Sequence, residues 1–329
     1  MLDTFLFALR ALLPLLLTIA LGYGVRRIGP LELDFYRKLN SLCFHLLLPL
    51  SLFCNIYAIE DLAQVNWRLA VYAVGGVLAC LAMGAAAARL LKRREQRGVL
   101  VQAAFRSNQA ILGLPLANAL GGEPAMAFAS VVSALTVPLF NLLAVLVLTF
   151  YSGASDRRPF AGKLVLRIVR NPLIVGCLAG IGAVALRQLG AVPDFFLRDQ
   201  LPSVYQVLQN LGKTASPLML FVLGASLDFR ATGRLLPQLS LGICLRLAAA
   251  PALVIGAALA LRTPLALTTV EMPTLVAVFA SPVAVSSAVM TQEIGGDSQL
   301  ASQLVVWSSV LSMGTIFLIV YLLRGMGAL

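Results

Sequence analysis

The sequence predicts an all-α polytopic membrane protein, with ten transmembrane helices in two inverted five-helix repeats. Three observations carry this expectation. Hydrophobic residues make up 60% of the 329-residue chain and charged residues only 12%, about half of the roughly 25% usual in soluble domains. The apolar residues fall in runs of the length a bilayer demands, roughly 20 residues each. Short strings recur in the same order in the two halves. A soluble globular enzyme and a disordered chain are excluded by the first two.

The expected spans lie at about 5–25, 39–58, 69–91, 99–121, 125–151, 164–188, 203–226, 235–261, 266–291 and 299–323. The connections between them are short, so no separate soluble domain fits. A net charge of +11 could mean nucleic acid. Here the basic residues sit in short stretches between apolar runs, so the expected partner is the lipid bilayer and not nucleic acid. Lys and Arg concentrate on cytoplasmic connections. Fifteen basic residues fall in the odd-numbered connections, among them Arg26, Arg27, Arg93, Arg94, Arg157, Arg158 and Lys163, and four in the even-numbered ones, Arg68, Arg187, Arg198 and Arg262. The odd connections therefore face the cytoplasm and both termini face outward. The last odd connection, around Glu293 and Asp297, has no basic residue. The first apolar run is too long for a signal peptide and lacks a basic leader, so it reads as a retained helix. Cys43, Cys54, Cys80, Cys177 and Cys244 lie in apolar segments without metal-ligand spacing and read as small buried hydrophobes. No metal or other cofactor is expected.

The first repeat is expected over 1–151 and the second over 164–329, joined by a basic cytoplasmic linker at 152–163. Leu48-Pro49-Leu50-Ser51-Leu52-Phe53 is echoed by Ser216-Pro217-Leu218-Met219-Leu220-Phe221, and Gly121-Gly122-Glu123 by Gly295-Gly296-Asp297. Five spans per copy is an odd number, so the copies must be upside down relative to each other, the plan of many secondary transporters.

Span four reads Arg106-Ser107-Asn108-Gln109-Ala110-Ile111-Leu112-Gly113-Leu114-Pro115, and span nine Phe279-Ala280-Ser281-Pro282-Val283-Ala284-Val285-Ser286-Ser287. Each carries a mid-span proline, which removes a backbone donor and clashes with the preceding turn. Interrupted helices at matching positions of two halves point to a midplane site. Pro115 and Pro282 are expected to open half-helices whose positive ends favour an anion, with Ser107, Asn108, Gly113, Ser281, Ser286 and Ser287 around the breaks. The alternative is that the two prolines merely kink structural helices.

Asn108-x-x-x-x-Gly113-x-Pro115 resembles the fourth-helix motif of the auxin efflux carrier family. Asn171-Pro172-Leu173-Ile174, Leu211 through Gly224-Ala225, and Ser281-Pro282-Val283-Ala284 with Gly296-Asp297 are similar to that family's sixth, seventh and ninth helices. The resemblance implies ten helices in two inverted repeats, a scaffold part and a transport part, and broken, crossing helices 4 and 9 at the substrate site. It also implies a bacterial inner-membrane permease for organic acids. The chain departs from the family at Ser286, where many relatives carry asparagine, and at Lys213, where small or apolar residues are usual.

Ionisable residues inside a span are candidates for function. Arg106 lies within span four, Lys213 within span seven and Arg246 within span eight. Arg106 either snorkels to the interface or meets substrate. Arg246 either snorkels or pairs with Asp228. No Asp or Glu lies within a few residues of Pro115 or Pro282, which disfavours a bare-cation antiporter and favours an anionic substrate. His45, the single histidine, is a packed polar residue or a proton relay.

The expected function is alternating-access transport of a small organic anion, with H+ or Na+ as coupling ion, by a monomer or a homodimer. A sodium-coupled symporter of similar fold and a non-transporting ligand sensor are the alternatives. A membrane enzyme is not expected: no catalytic triad, metal cluster or phosphate loop is present. Epitope tags on both termini are expected to bind antibody on intact cells. Labelling only after permeabilisation overturns the orientation.

Overall fold

Inside a bilayer the backbone has no water to bond, so an apolar run must satisfy its own N–H and C=O groups, and the helix does this within one segment. The computed structural model is all-helical, with no strand among the described residues. It describes residues 2–29, 31–58, 66–152, 169–188, 197–261 and 267–329. The basic linker beyond Ser152, the first residues of the expected sixth span and Arg262 lie outside them.

The helices are α1 (Leu2–Ile28), α2 (Leu33–Tyr57), α3 (Trp67–Ala88), α4 (Arg94–Phe105), α5 (Gln109–Tyr151), α6 (Pro172–Gln188), α7 (Pro202–Ser226), α8 (Leu236–Ala260), α9 (Met272–Phe279), α10 (Ser286–Ile294) and α11 (Ser298–Gly325). Five of these, α2, α3, α5, α8 and α11, are long and apolar enough by themselves to cross a membrane. α5 bends sharply at Gly122, whose φ of +69° suits only a residue without Cβ.

Three prolines that threaten helix continuity are absorbed in the same way. Pro49, Pro115 and Pro251 each follow directly on a π-helical turn, Cys43–Leu47, Gln109–Gly113 and Leu245–Ala249. A proline ring clashes with the carbonyl four residues back. A wider turn moves that carbonyl away and tolerates the missing N–H. The expectation that Pro115 opens a half-helix is therefore corrected: the chain runs through it as a helix.

The break in span four lies upstream, at Arg106-Ser107-Asn108, where α4 ends with Arg106 extended (φ −89°, ψ 109°). The break in span nine covers 280–285, between α9 and α10. Pro282 lies inside that stretch, and the half-helix opens only at Ser286. The two breaks cross and pair like a fragment of antiparallel sheet. Ser107 bridges Val283, Asn108 N–H donates to the Pro282 carbonyl at 2.8 Å, and Ala284 N–H donates to the Arg106 carbonyl at 3.3 Å. Val283 N–H donates to Ser308 Oγ on α11 at 3.1 Å. Each break thus supplies hydrogen bonds that its neighbour lost with the helix.

Arg246 completes the crossing. It is fully buried in the π turn of α8 and donates to four carbonyls: Ser281 at 2.8 Å, Phe279 at 2.9 Å, Val278 at 3.0 Å and Ala104 at 3.2 Å. Those carbonyls close α4 and α9, the two partially negative helix ends. Arg246 neither snorkels nor pairs with Asp228. The Asp228 carboxylate accepts from Arg230 N–H at 3.0 Å. Cys244, expected to be buried, is exposed on the same helix, whereas the other four cysteines are buried.

The helices pack as two groups. α1, α2, α6 and α7 pack on one another, and α3, α4, α5 and α8–α11 form the second body. The first group is drawn close by a reciprocal glycine contact. A Cβ on Gly22 would stand 2.0 Å from the Phe221 carbonyl oxygen, and one on Gly224 1.9 Å from that of Ile19. Small residues that let backbones touch replace the hydrophobic effect as the packing force in lipid. The two bodies meet along α1 against α11, and where α2, α6 and α7 face α5 and α10.

Replacing Arg246 with Met orphans four buried carbonyls. We expect a stability loss of about 2–4 kcal/mol, read as a lower thermal unfolding midpoint in detergent. An unchanged midpoint overturns the capping role.

Candidate functional site

The crossing disposes of helix ends asymmetrically. The C-terminal ends of α4 and α9 are taken by Arg246. The N-terminal ends of α5 and α10 begin at Asn108 and Val285, and neither has a side-chain cap. The first N–H groups of a helix lack intrahelical partners and carry partial positive charge. Both of these ends border one cavity of about 90 Å³.

That cavity is lined on one side by Arg106, Ser107, Asn108, Ala110, Asn141 and Ser286 from the crossing body, and on the other by Ser51 and Asn55 of α2 and Ser216 of α7. It therefore lies between the two bodies. A second cavity of about 180 Å³ adjoins it, sharing Leu52, Asn55, Ala110 and Val137, and reaches Leu114, Ser130 and Ser133. It extends along α5 from the crossing towards Gly122.

Arg106 is 3% exposed. Its guanidinium donates to Asn141 Oδ1 at 2.6 Å and to Ser286 Oγ at 2.8 Å, and contacts Met290 Sδ. All three partners are neutral, and no carboxylate pairs with it among the described residues. Moreover, Ser286 belongs to the first turn of α10, so the cation is held against a positive helix end. Arg106 does not snorkel.

Ser107 Oγ and Asn108 Nδ2 are buried without a hydrogen-bond partner, and both residues line the cavity. A hydroxyl can donate and an amide N–H₂ is a donor, so two unpartnered polar groups stand here beside a guanidinium whose own acceptors are neutral. Buried polar atoms left unpaired cost about 1–3 kcal/mol each, a cost that an acceptor in the cavity removes.

The other sequence-chosen residues lie around this centre. Gly113 brings α5 onto α9, since a Cβ there would approach the Ala277 carbonyl oxygen to 2.6 Å. Pro115 stands in the first turn of α5 after its π turn. Ser281 is buried and donates to the Ala277 carbonyl at 2.6 Å. Pro282 contributes its carbonyl to the crossing. Ser287 Oγ is buried without a partner, although Ser287 is not among the lining residues. Lys213 is exposed on α7, bonds Gln209 at 3.0 Å and does not line the cavity. Asn141, Asn55, Ser51 and Ser216 were not singled out from sequence. The available signal was a polar side chain in an apolar span, which Ser and Asn give too often to discriminate.

Removing the guanidinium from a site that gives it no counter-charge costs less than removing it from its carbonyl cage. We expect Arg106→Met to be more stable than Arg246→Met by on the order of 2 kcal/mol. Thermal unfolding of the two purified variants checks this, and equal losses contradict it.

Comparison with known proteins adds two findings. A family described as membrane transport protein matches residues 7–320. An uncharacterized transporter of Methanocaldococcus jannaschii is 26% identical over 223 residues, covering 66% of this chain and 68% of its own length.

Proposed function

The chain belongs to this membrane transport family, that of the auxin efflux carriers, and we propose that it is a secondary transporter for a small organic anion, a carboxylate. It is a multi-pass membrane protein whose family and relative are transporters. The observation that carries the anion is Arg106, a buried cation with neutral partners at two positive helix ends. An oxyanion accepts from Asn108 Nδ2, Ser107 Oγ and the guanidinium together, and such charge-assisted bonds are the strong ones. A cation would meet an amide N–H₂ and a like charge.

The mechanism is alternating access. The site lies between two bodies, so a displacement of the crossing body against α1, α2, α6 and α7 re-aims it from one face to the other. The inverted repeat supplies the two end states, since each copy can take the conformation of the other. Two features support the repeat. α1 packs on α7 as α6 packs on α2, and Gly22 faces the Phe221 carbonyl much as Gly180 faces that of Phe53, at 3.3 Å from a built Cβ. The paired Gly-Gly-acid strings both turn with positive φ, at Gly122 and at Gly295 and Gly296.

Proteoliposomes containing the purified protein are expected to take up radiolabelled small carboxylates or aromatic acids. Arg106→Gln and Asn108→Ala lower this uptake by about tenfold or more, the equivalent of roughly 1.4 kcal/mol, while the protein stays folded. Undiminished uptake by both variants removes the site assignment. Uptake of neutral or cationic analogues in preference to acids removes the substrate class.

A further inference from the structure

The seam between the two bodies holds a titratable cluster that the anion site does not use. Glu293 lies near the end of α10, on the crossing body. Asn40 and Ser41 lie on α2, and His45 in the π turn of the same helix. Asn40 Nδ2 donates to Glu293 Oε1 at 2.8 Å, and Ser41 Oγ donates to Oε2 at 3.4 Å. Asn40 is itself buried, and its amide reaches the Val289 carbonyl at 3.4 Å. His45 Nδ1 stands 3.1 Å from Ser41 Oγ and 3.0 Å from the Ser41 carbonyl. The carboxylate and the imidazole thus share one hydroxyl.

Among the described residues no cation pairs with this carboxylate. Among the elements packed against α10, Lys38 pairs with Asp34 at 2.8 Å, Arg37 lies one turn before Ser41, and Lys213 bonds Gln209. On α4, Arg94 and Arg97 bond the carbonyls of Phe150 and Leu91, and Glu95 pairs with Arg93 at 3.2 Å just before the helix. Arg106 is held as described. Asp297 caps α11 and accepts from Gln96 at 2.9 Å. Glu123 lies at the bend of α5 beside Gly122, and Arg324 in the last turn of α11. Glu293 pairs with no basic side chain among the described residues.

An ionised carboxylate accepts from both Asn40 and Ser41. A protonated one carries a hydrogen of its own and loses the charge that strengthens those bonds. Both bonds cross the seam that alternating access must open and close in every cycle. We propose that Glu293 is the coupling proton site of this carrier, with Asn40, Ser41 and His45 as its cradle on the facing body. Proton binding loosens the seam and proton release re-forms it. An anion that moves with a proton moves without net charge. The coupling role rests on the transporter reading above, whereas the pH-sensitive seam is a property of the folded protein alone.

Hydrogen–deuterium exchange of the purified full-length protein, corrected for intrinsic rates, tests the seam without any substrate. It is followed for segments 33–47 and 286–297 over about pH 4–9, the range in which carboxylic acids and imidazole titrate. In the unmodified protein, protection of both segments falls as pH falls, by at most about tenfold per pH unit for one titrating group. E293Q exchanges fast and without this pH dependence, while H45Q keeps it. Flat protection in the unmodified protein overturns the proposal, as does pH dependence that survives in E293Q or vanishes in H45Q alone. Proteoliposome uptake of the carboxylates above, with and without an imposed pH gradient, separates the two readings. Absent uptake in a protein with a pH-sensitive seam refutes the transporter and leaves the seam. Uptake that no pH gradient accelerates refutes coupling and leaves the transporter.

Discussion

The structure depends on one constraint: two helices are broken inside an apolar interior, and a broken helix leaves backbone groups that must be bonded there. Each break answers part of the other's need. The Asn108 N–H and Pro282 carbonyl, and the Ala284 N–H and Arg106 carbonyl, pair across the crossing, as strands do in a sheet. The remaining carbonyls converge on one side and are taken by Arg246. The remaining N–H ends converge on the other side and border the cavity. Were the carbonyl ends left open, the crossing would offer both signs of partial charge and favour neither kind of ligand. With Arg246 in place, only the positive ends face the space between the bodies.

The two buried arginines show how the same side chain comes to serve different ends. Burying a guanidinium costs several kcal/mol, which only well-placed partners offset. Arg246 has four carbonyls in hydrogen-bond range, and they belong to helix ends that carry negative partial charge. Its environment is complete. Arg106 has one amide oxygen, one hydroxyl and one thioether, the last a weak acceptor, and its nearest helix end is positive. No carboxylate pairs with Arg106 among the described residues. Local partners, not depth, distinguish the two cations, since both are almost wholly inaccessible.

The seam has the complementary character. Within the first group of helices the contacts are apolar and close, with Gly22 and Gly224 holding α1 against α7. Between the groups, α2 meets α10 through Asn40, Ser41 and Glu293. Hydrogen bonds between such groups can be exchanged for water or for a proton.

Composition alone determined that the chain lives in a membrane, because a bilayer admits long apolar runs only as helices, and the Asn108-to-Pro115 motif determined the family. The residues lining the cavity were legible in part: Arg106, Ser107, Asn108 and Ser286 stand out in the sequence because polar and cationic residues are costly in apolar spans. Their detail was not. Pro282 marks the break in its span, although the half-helix opens only at Ser286, whereas Pro115 marks the right span but not the break, since a π turn lets a helix pass through it and nothing in the order of residues says which turn will widen. Arg246 stands out in the sequence as a charge within a span but its partners do not, Lys213 carries the same signal yet stands apart from the cavity, and Asn141 carries none among the apolar residues of its helix. Glu293 and His45 lie 248 positions apart in the chain and share a hydroxyl only because α2 and α10 meet. Partners brought together by packing leave no periodicity in the chain, so tertiary structure alone decided which buried cation is caged by carbonyls and which has only neutral side-chain partners beside the cavity.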